Sequence, residues 1–379
     1  MKIAFLSDSV YPFRKGGKET RSYELASELA KRNHEVHFYT MKFWKGKDII
    51  KKNNITFHGI CKEYPLYNGK NRSIKQAILF GFAAFKLLKP SEDFDVLDAD
   101  HMVYFHLWPA KLACILKRKN LVVTWHEVWG KEYWKQYMGR KGILGYIMEK
   151  LSSKLPNKII SISNQTSNRL KKEFKIPSRK ISTIPCAIHL QKLNKIKPSR
   201  EKSDIIFAGR LISHKNINIL IKSIKIIKQS NKKYNSIKCI IIGDGPEKEN
   251  LINLTKELNL EKNIIFKGII EKTEDVYSMI KSSKVFVLPS TREGFGIVVI
   301  EANALGIPVI AINHKDNASR FLIKEGKNGF VSELNEKDLA NVISKAIKSS
   351  KAMQVSSIAA ASQYDWSNII EQFEGVYRG

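Results

Sequence analysis

The chain has 379 residues, 43% of them hydrophobic, and carries 65 Lys and Arg against 36 Asp and Glu, a formal net charge of +29. That length suits two domains of ordinary size, and the apolar fraction excludes a disordered chain. No apolar run reaches about 18 residues, no secretory signal pattern opens the chain, and Cys61, Cys114, Cys186 and Cys239 form no CxxC pair, so a membrane span, a disulfide frame and a zinc site are not expected and the setting reads as cytoplasmic. The basic excess favours polyanions such as nucleic acid, anionic lipid or phosphorylated substrates, but the lysines are spread along the whole chain, so charge alone does not choose among them.

In chain order, the first half predicts strands at Lys2–Leu6, Glu35–Thr40, Ile55–Gly59, Val96–Asp98, Leu121–Thr124 and Lys158–Ile162. The second half predicts them at Ile205–Ala208, Lys238–Ile242, Ile264–Lys267, Val285–Leu288 and Pro308–Ala311. Most are continuous Ile/Val-rich runs without alternation, as strands covered on both faces of a parallel sheet should be. Helix-period segments such as Thr20–Arg32 and Asn216–Gln229 lie between them, which makes βαβ units. The polar stretch Gln191–Ser203 reads as the boundary. The expectation is an α/β chain of two doubly wound, Rossmann-like domains, residues 1–195 and 196–362, facing across a cleft. Residues 363–379 should form a terminal helix packing back on the first domain.

The segment most suggestive of chemistry follows the strand at Val285–Leu288. Glu293, Gly294, Phe295 and Gly296 lead into a helix starting near Ile297, with Glu301 about one turn inside it. A helix N-terminus beside glycines is an anion site, and carboxylates accept hydrogen bonds from sugar hydroxyls. A plain strand-to-helix turn with two solvated glutamates is the alternative. Arg210 and Lys215 follow the first strand of the second domain and suit a diphosphate, Arg by bidentate contact and Lys as a point charge. Two surface cations of a basic protein would look the same. Gly243, Asp244 and Gly245 make a tight turn after a strand but lack Rossmann glycine spacing. In the first domain, Gly16 and Gly17 lie between a strand and a helix, and His126 and Glu127 follow another strand. Gly130 rules out an HExxH zinc helix there, and Asp98-Ala-Asp100 reads as a strand end rather than a metal motif.

The block from Glu293 to Ala311, EGFGIVVIEANALGIPVIA, closely resembles the donor-site signature of glycosyltransferase family 4. The resemblance covers nearly the whole chain and is strongest from Ile205 to Val331. It implies the two-domain GT-B fold, a sugar-nucleotide donor and retention of anomeric configuration. It also implies roles. Glu293 would contact donor-sugar hydroxyls, the backbone at Phe295, Gly296 and Ile297 would hold sugar and diphosphate, and Glu301 would bind the ribose. Arg210 and Lys215 would stabilise the leaving diphosphate in place of a metal. Gly16 and Gly17 would approach the donor phosphate, Gly243 would turn near the donor, Ile270 would meet the nucleobase, and His126 would lie near the donor sugar. His101 and Glu127 are the acceptor-side candidates. One departure is Asn313–Ser319, where family members often carry a glycine pair and a glutamate.

Two basic-apolar stretches, Lys70–Lys89 and Lys131–Lys154, resemble interfacial helices, although packing against their own domain explains such faces more often. The reading is thus a metal-independent retaining hexosyltransferase. It needs no cofactor beyond its nucleotide-sugar substrate and acts on a glycan or lipid-linked acceptor, with an anionic membrane face as a candidate partner. A GT-B-like epimerase or phosphorylase is the enzyme alternative. A basic nucleic-acid-binding protein is the alternative of another class, and no nucleic-acid motif supports it.

Overall fold

The computed structural model describes residues 1–68 and 71–379. They form two compact units: Met1–Cys186 with Ile369–Gly379, and Ala187–Asn368. The first unit begins with β1 (Lys2–Leu6), α1 (Gly17–Lys31), β2 (Glu35–Lys42), β3 (Ile49–Lys52) and β4 (Ile55–Lys62). A short antiparallel pair, β5 (Tyr67–Asn68) and β6 (Asn71–Arg72), precedes α2 (Ile74–Ala83), which runs on through a 3-10 turn at Ala84–Leu88. Then come β7 (Val96–Asp100), α3 (Leu107–Lys117), β8 (Asn120–Trp125), α4 (Gly130–Met138), α5 (Gly142–Ser152), β9 (Lys158–Ser161), α6 (Asn164–Phe174) and β10 (Ile181–Thr183).

These strands make one sheet in the order β10-β9-β8-β7-β1-β2-β4-β3, parallel except for the β3–β4 pair. All five residues of β7 are buried, as a parallel sheet covered on both faces requires. The antiparallel strand β3 was not expected from the sequence because Ile49-Ile-Lys-Lys52 is mostly exposed. Its signal was the following Asn53-Asn54, both at positive φ (52° and 61°), the backbone of a tight hairpin turn.

The second unit runs α7 (Leu190–Asn194), β11 (Ser203–Ala208), α8 (Ile217–Ser230), β12 (Cys239–Ile242), α9 (Lys248–Glu257), β13 (Ile264–Gly268), α10 (Thr273–Lys281), β14 (Ser283–Leu288), α11 (Ile297–Ala304), β15 (Val309–Ile312), β16 (Gly329–Ser332), α12 (Glu336–Ser349) and α13 (Gln354–Ser362). Its six strands are all parallel, in the order β13-β12-β11-β14-β15-β16. This is the doubly wound arrangement, with the chain reversing direction across the sheet between β11 and β14.

The division falls at Cys186/Ala187, ahead of the polar stretch 191–203. The reason is local pairing: Ile188 N–H donates to Tyr364 O at 2.9 Å and Leu190 N–H to Asp365 Oδ2 at 2.8 Å, which binds α7 into the second unit. The last helix, α14 (Trp366–Arg378), carries the chain back to the first unit. There Phe373 lies under the Arg21 guanidinium at 5.3 Å, Glu374 pairs with Arg32 at 2.9 Å, and the Tyr377 hydroxyl donates to buried Asp98.

Candidate active site

Both units carry their polar machinery where strand order reverses, at the carboxyl ends of the strands. In such sheets ligands bind at that crevice.

In the second unit, β14 is buried from Val285 to Leu288 and opens into the loop that carries Glu293. Glu293 is held by its backbone: its N–H donates to Asp316 O at 3.1 Å, and Ala318 N–H donates to its carbonyl at 2.9 Å. Its side chain is therefore free to act, and Oε1 accepts from Lys215 Nζ at 2.5 Å. Lys215 ends a one-turn 3-10 helix after β11. That turn is tied to the β14 loop through Asn216, whose amide donates to Pro289 O and His214 O, both at 3.1 Å. The two predicted residues, 78 positions apart in sequence, thus meet directly, with side chains only 17% and 15% exposed. Arg210, exposed, stands on the same turn after β11.

Helix α11 begins at Gly296, which has φ +92° and offers no side-chain cap to the first backbone N–H groups. A Cβ there would sit 2.5 Å from Ser319 Cβ, so glycine is required for both conformation and space. Side chains cap α2 (Ser73), α6 (Ser163) and α12 (Asn335), whereas α11, like most of the other helices, has none. An uncapped start leaves N–H groups and the positive helix end available to an anion. The Phe295 side chain is buried edge-on against Tyr364 at 5.8 Å, leaving only its backbone for a ligand. Glu301 is partly buried and accepts from the Tyr277 hydroxyl at 2.7 Å; desolvation raises its carboxyl pKa against that bond. Gly243, at φ +129°, lets the turns after β11 and β12 touch, because a Cβ would lie 1.9 Å from Gly209 O. Ile270 follows β13 and is partly buried.

Asn317 was not singled out by its sequence. It is fully buried, donates to Ser290 O at 3.0 Å and Ile312 O at 2.8 Å, and accepts from the Ser319 hydroxyl at 2.6 Å. It therefore locks the loop after β15 to the loop bearing Glu293. The stretch Asn313–Ser319, which departs from the usual family pattern, does structural work at this site.

In the first unit, Asp8 follows β1 and Asp100 ends β7, the two strands that flank the reversal, and His126 follows the neighbouring β8. His126 Nε2–H donates to Asp100 Oδ1 at 2.8 Å. Lys18, one residue past Gly17 in α1, donates to Asp8 Oδ1 at 2.6 Å and lies 3.7 Å from Asp100 Oδ2. Arg72 donates to the other oxygen of Asp8 at 2.9 Å. Burial alone would raise the Asp8 carboxyl, but Lys18 and Arg72 outweigh it and hold the group at about 2. Asp100 is likewise depressed despite burial, through Lys18 and His126. Burial would lower Lys18, yet Asp8 and Asp100 raise it, so this lysine is a fixed cation. Helix α1 starts at Gly17 behind Gly16, again with no side-chain cap.

His101 does not reach the surface and so does not line an acceptor site directly. It is 1% exposed, stacks on Trp125 at 4.9 Å, and its Nδ1 accepts from the His126 backbone N–H at 3.3 Å. Burial and neighbouring His126 push it down to about 3, so it is neutral with its proton on Nε2, and it supports His126 from behind. Glu127 accepts from Trp129 Nε1 at 2.6 Å. Asp98 is used internally, buried among Tyr377 and Thr124, and desolvation lifts it to about 7.

Two parallel-sheet α/β domains of this kind define the GT-B class. Over 100% of the chain the fold matches sucrose-phosphate synthase from Thermosynechococcus elongatus (TM-score 0.81, 20% identity, 98% of that chain). It also matches Anabaena HepE in complex with UDP and glucose (TM-score 0.75, 20% identity, 99% of that chain). The family model "Glycosyltransferase Family 4" matches residues 15–192, and "Glycosyl transferases group 1" matches residues 191–363. The chain belongs to the glycosyltransferases of this family-4 type. Among relatives, it is 30% identical over 224 residues to an uncharacterized glycosyltransferase of Haemophilus influenzae, covering 58% of this chain and 61% of that protein. It is 30% identical over 206 residues to the Escherichia coli UDP-Gal:alpha-D-GlcNAc-diphosphoundecaprenol alpha-1,3-galactosyltransferase, covering 50% and 51%. These matches span only about half to three-fifths of either relative's length.

Proposed function

We propose that the chain transfers a hexose from a nucleoside-diphosphate sugar to an acceptor hydroxyl, with retention and without a metal ion. The Lys215–Glu293 pair beside the uncapped start of α11 carries this reading. In the reaction the bond from the anomeric carbon to the diphosphate oxygen breaks and a bond to the acceptor oxygen forms. The acceptor's proton leaves with the diphosphate. Negative charge grows on the diphosphate, and Arg210, Lys215 and the α11 N–H groups are the donors fixed to meet it. Glu293 orients Lys215 until donor-sugar hydroxyls take up its carboxylate. Glu301 takes the ribose hydroxyls, and Ile270 and the Gly243 turn border the nucleoside.

The acceptor is a lipid-linked or cell-surface glycan precursor at the cytoplasmic face of an anionic membrane. A relative whose name specifies a diphosphoundecaprenol acceptor supports this. Calorimetry against a panel of sugar nucleotides, with and without EDTA, tests the donor side. Binding of one donor unchanged by EDTA is expected; no binding by any donor overturns the reading. NMR of the product's anomeric proton tests retention, and turnover in the absence of any acceptor would instead favour an epimerase.

A further inference from the structure

The helices on one face of the first sheet are apolar on the side that points away from it. The connections β4→β7, β7→β8 and β8→β9 all step the same way across the sheet. Right-handed crossovers therefore place α2, α3 and the α4–α5 pair on one face. One shared core beneath them agrees: it includes Phe80 of α2, Cys114 of α3 and Trp134 of α4.

On α2 and the turn after it, Ile74, Ile78, Phe82 and Phe85 form an exposed stripe at helical spacing. Trp108, Leu112, Ile115 and Leu116 do the same on α3, and Ile143, Leu144, Ile147 and Leu151 on α5. Twelve of the eighteen exposed large apolar side chains among the described residues thus sit on this face. The second unit carries four, scattered.

Helix α5 is turned inside out for a protein in water. Its buried positions are Gly142, Glu149 and Ser152, and Glu149 accepts from Trp129 N–H, Gly130 N–H and Trp134 Nε1 at 2.8–3.0 Å. The sequence stretch Lys131–Lys154 therefore divides. The aromatic part, on α4, packs inward, while the aliphatic part, on α5, faces out. Gly142 and Gly145 make the fold-back possible, since a Cβ at either would lie within 2.2 Å of Trp134. Of the stretch Lys70–Lys89, Lys70 lies outside the described residues.

The charge exposed on α2, α3 and α5 has one sign. Helices α2, α3 and α5 expose no carboxylate, because Glu149, the sole acidic residue in them, is fully buried. Lys75, Lys86, Lys117, Arg118, Lys141 and Lys154 ring the stripes. Apolar stripes with a cationic rim fit an interface between hydrocarbon and anionic headgroups. A nucleic acid would leave the aliphatic stripes wet, and a second copy of the face would oppose like charges.

We propose that the outward faces of α2, α3 and α5 form one surface that seats the first unit on an anionic lipid bilayer. The seat extends the membrane reading above to a defined surface that includes α3. It needs neither donor nor acceptor, so its test is independent of the transfer reaction. The full chain is floated with vesicles of phosphatidylglycerol and phosphatidylcholine, or of phosphatidylcholine alone, at low and high salt. Binding to the anionic vesicles at low salt, weakened by salt, is expected. Two combined variants follow: Phe82→Ser with Leu116→Ser and Leu144→Ser, each side chain 67% exposed, and Lys86→Glu with Arg118→Glu and Lys141→Glu. Each set should lower partitioning by at least about tenfold. Unchanged circular dichroism and sugar-nucleotide binding confirm that the fold is intact. The proposal is overturned if the wild type stays with the unbound fraction at low salt. Equal flotation of either variant set also overturns it, as does binding to phosphatidylcholine alone that salt does not weaken. Lipid-independent dimerisation abolished by the serine set, without vesicle binding, would assign the face to a second copy instead.

Discussion

The two units place polar groups at the same point of the same kind of sheet, yet they build their sites differently. The second unit presents backbone: an uncapped helix start, glycine turns, and one ion pair between partly exposed side chains. The first unit presents a buried charge cluster in which Asp8, Lys18, Arg72, Asp100 and His126 already pair with one another, Asp100 Oδ2 being held only at 3.7 Å from Lys18. A backbone cradle suits a ligand that brings its own charges, such as a diphosphate. A pre-paired cluster instead holds a fixed geometry, because in a low-dielectric setting removing one member leaves another unpaired.

The contrast can be broken by substitution. Glu293→Ala and Lys215→Ala should each lower kcat by about two to three orders of magnitude with cooperative unfolding retained, as expected for lost transition-state electrostatics. Steady-state kinetics with the matched donor checks this; near-normal turnover in either variant would remove the proposed donor site. Asn317→Ala should destabilise the second unit by about 2–3 kcal/mol, since it strands the Ser290 and Ile312 carbonyls. Chemical denaturation measures that loss, and turnover should fall with it as the Glu293 loop loosens.

Acid should act on the first unit. The folded Asp8 carboxyl is held at about 2, below its unfolded value, so its pairing stabilises the fold above about pH 4 and is lost as pH falls toward 2. Asp8→Asn should flatten that part of the stability curve, which spans about 2 kcal/mol. Asp98 has the opposite sign. Raised to about 7, it favours the fold while protonated, and that contribution is lost as pH rises through 7. Asp98→Asn should therefore narrow the stability gap between pH 5 and pH 8, and an unchanged gap would contradict the assignment. The smallest effect is expected at Glu301→Gln, a rise in the donor KM of about five- to tenfold with kcat nearly kept, as for one lost charged hydrogen bond.

The donor side was legible because its signals are local. Glu293, Gly296 and Glu301 lie within nine residues, and the buried strand before them, Val285–Leu288, is a plain apolar run. Most of the parallel strands were legible for the same reason, whereas the short edge strands β10 and β16 and the exposed, lysine-tipped β3 were not among the predicted strands. The first unit's cluster was largely invisible, because its members come from residues 8, 18, 72, 100 and 126 and no spacing rule links them. His101 shows the limit for single residues. Its place after a strand suggested a ligand, and only burial showed that it supports His126 instead.

By itself the sequence determined the class: continuous apolar runs alternating with helical periods impose parallel βαβ units, and glycines beside glutamates mark an anion-binding helix start. Only the tertiary structure decided which charges meet and which faces stay exposed. Lys215 reaches Glu293, and Lys18 with Arg72 neutralises buried Asp8, through contacts between residues 10 to 78 positions apart. The apolar side of α5 faces outward because Glu149 finds its three donors inside. Helical periodicity defines a polar and an apolar side, but which of them turns inward depends on the partners that folding places beneath the helix.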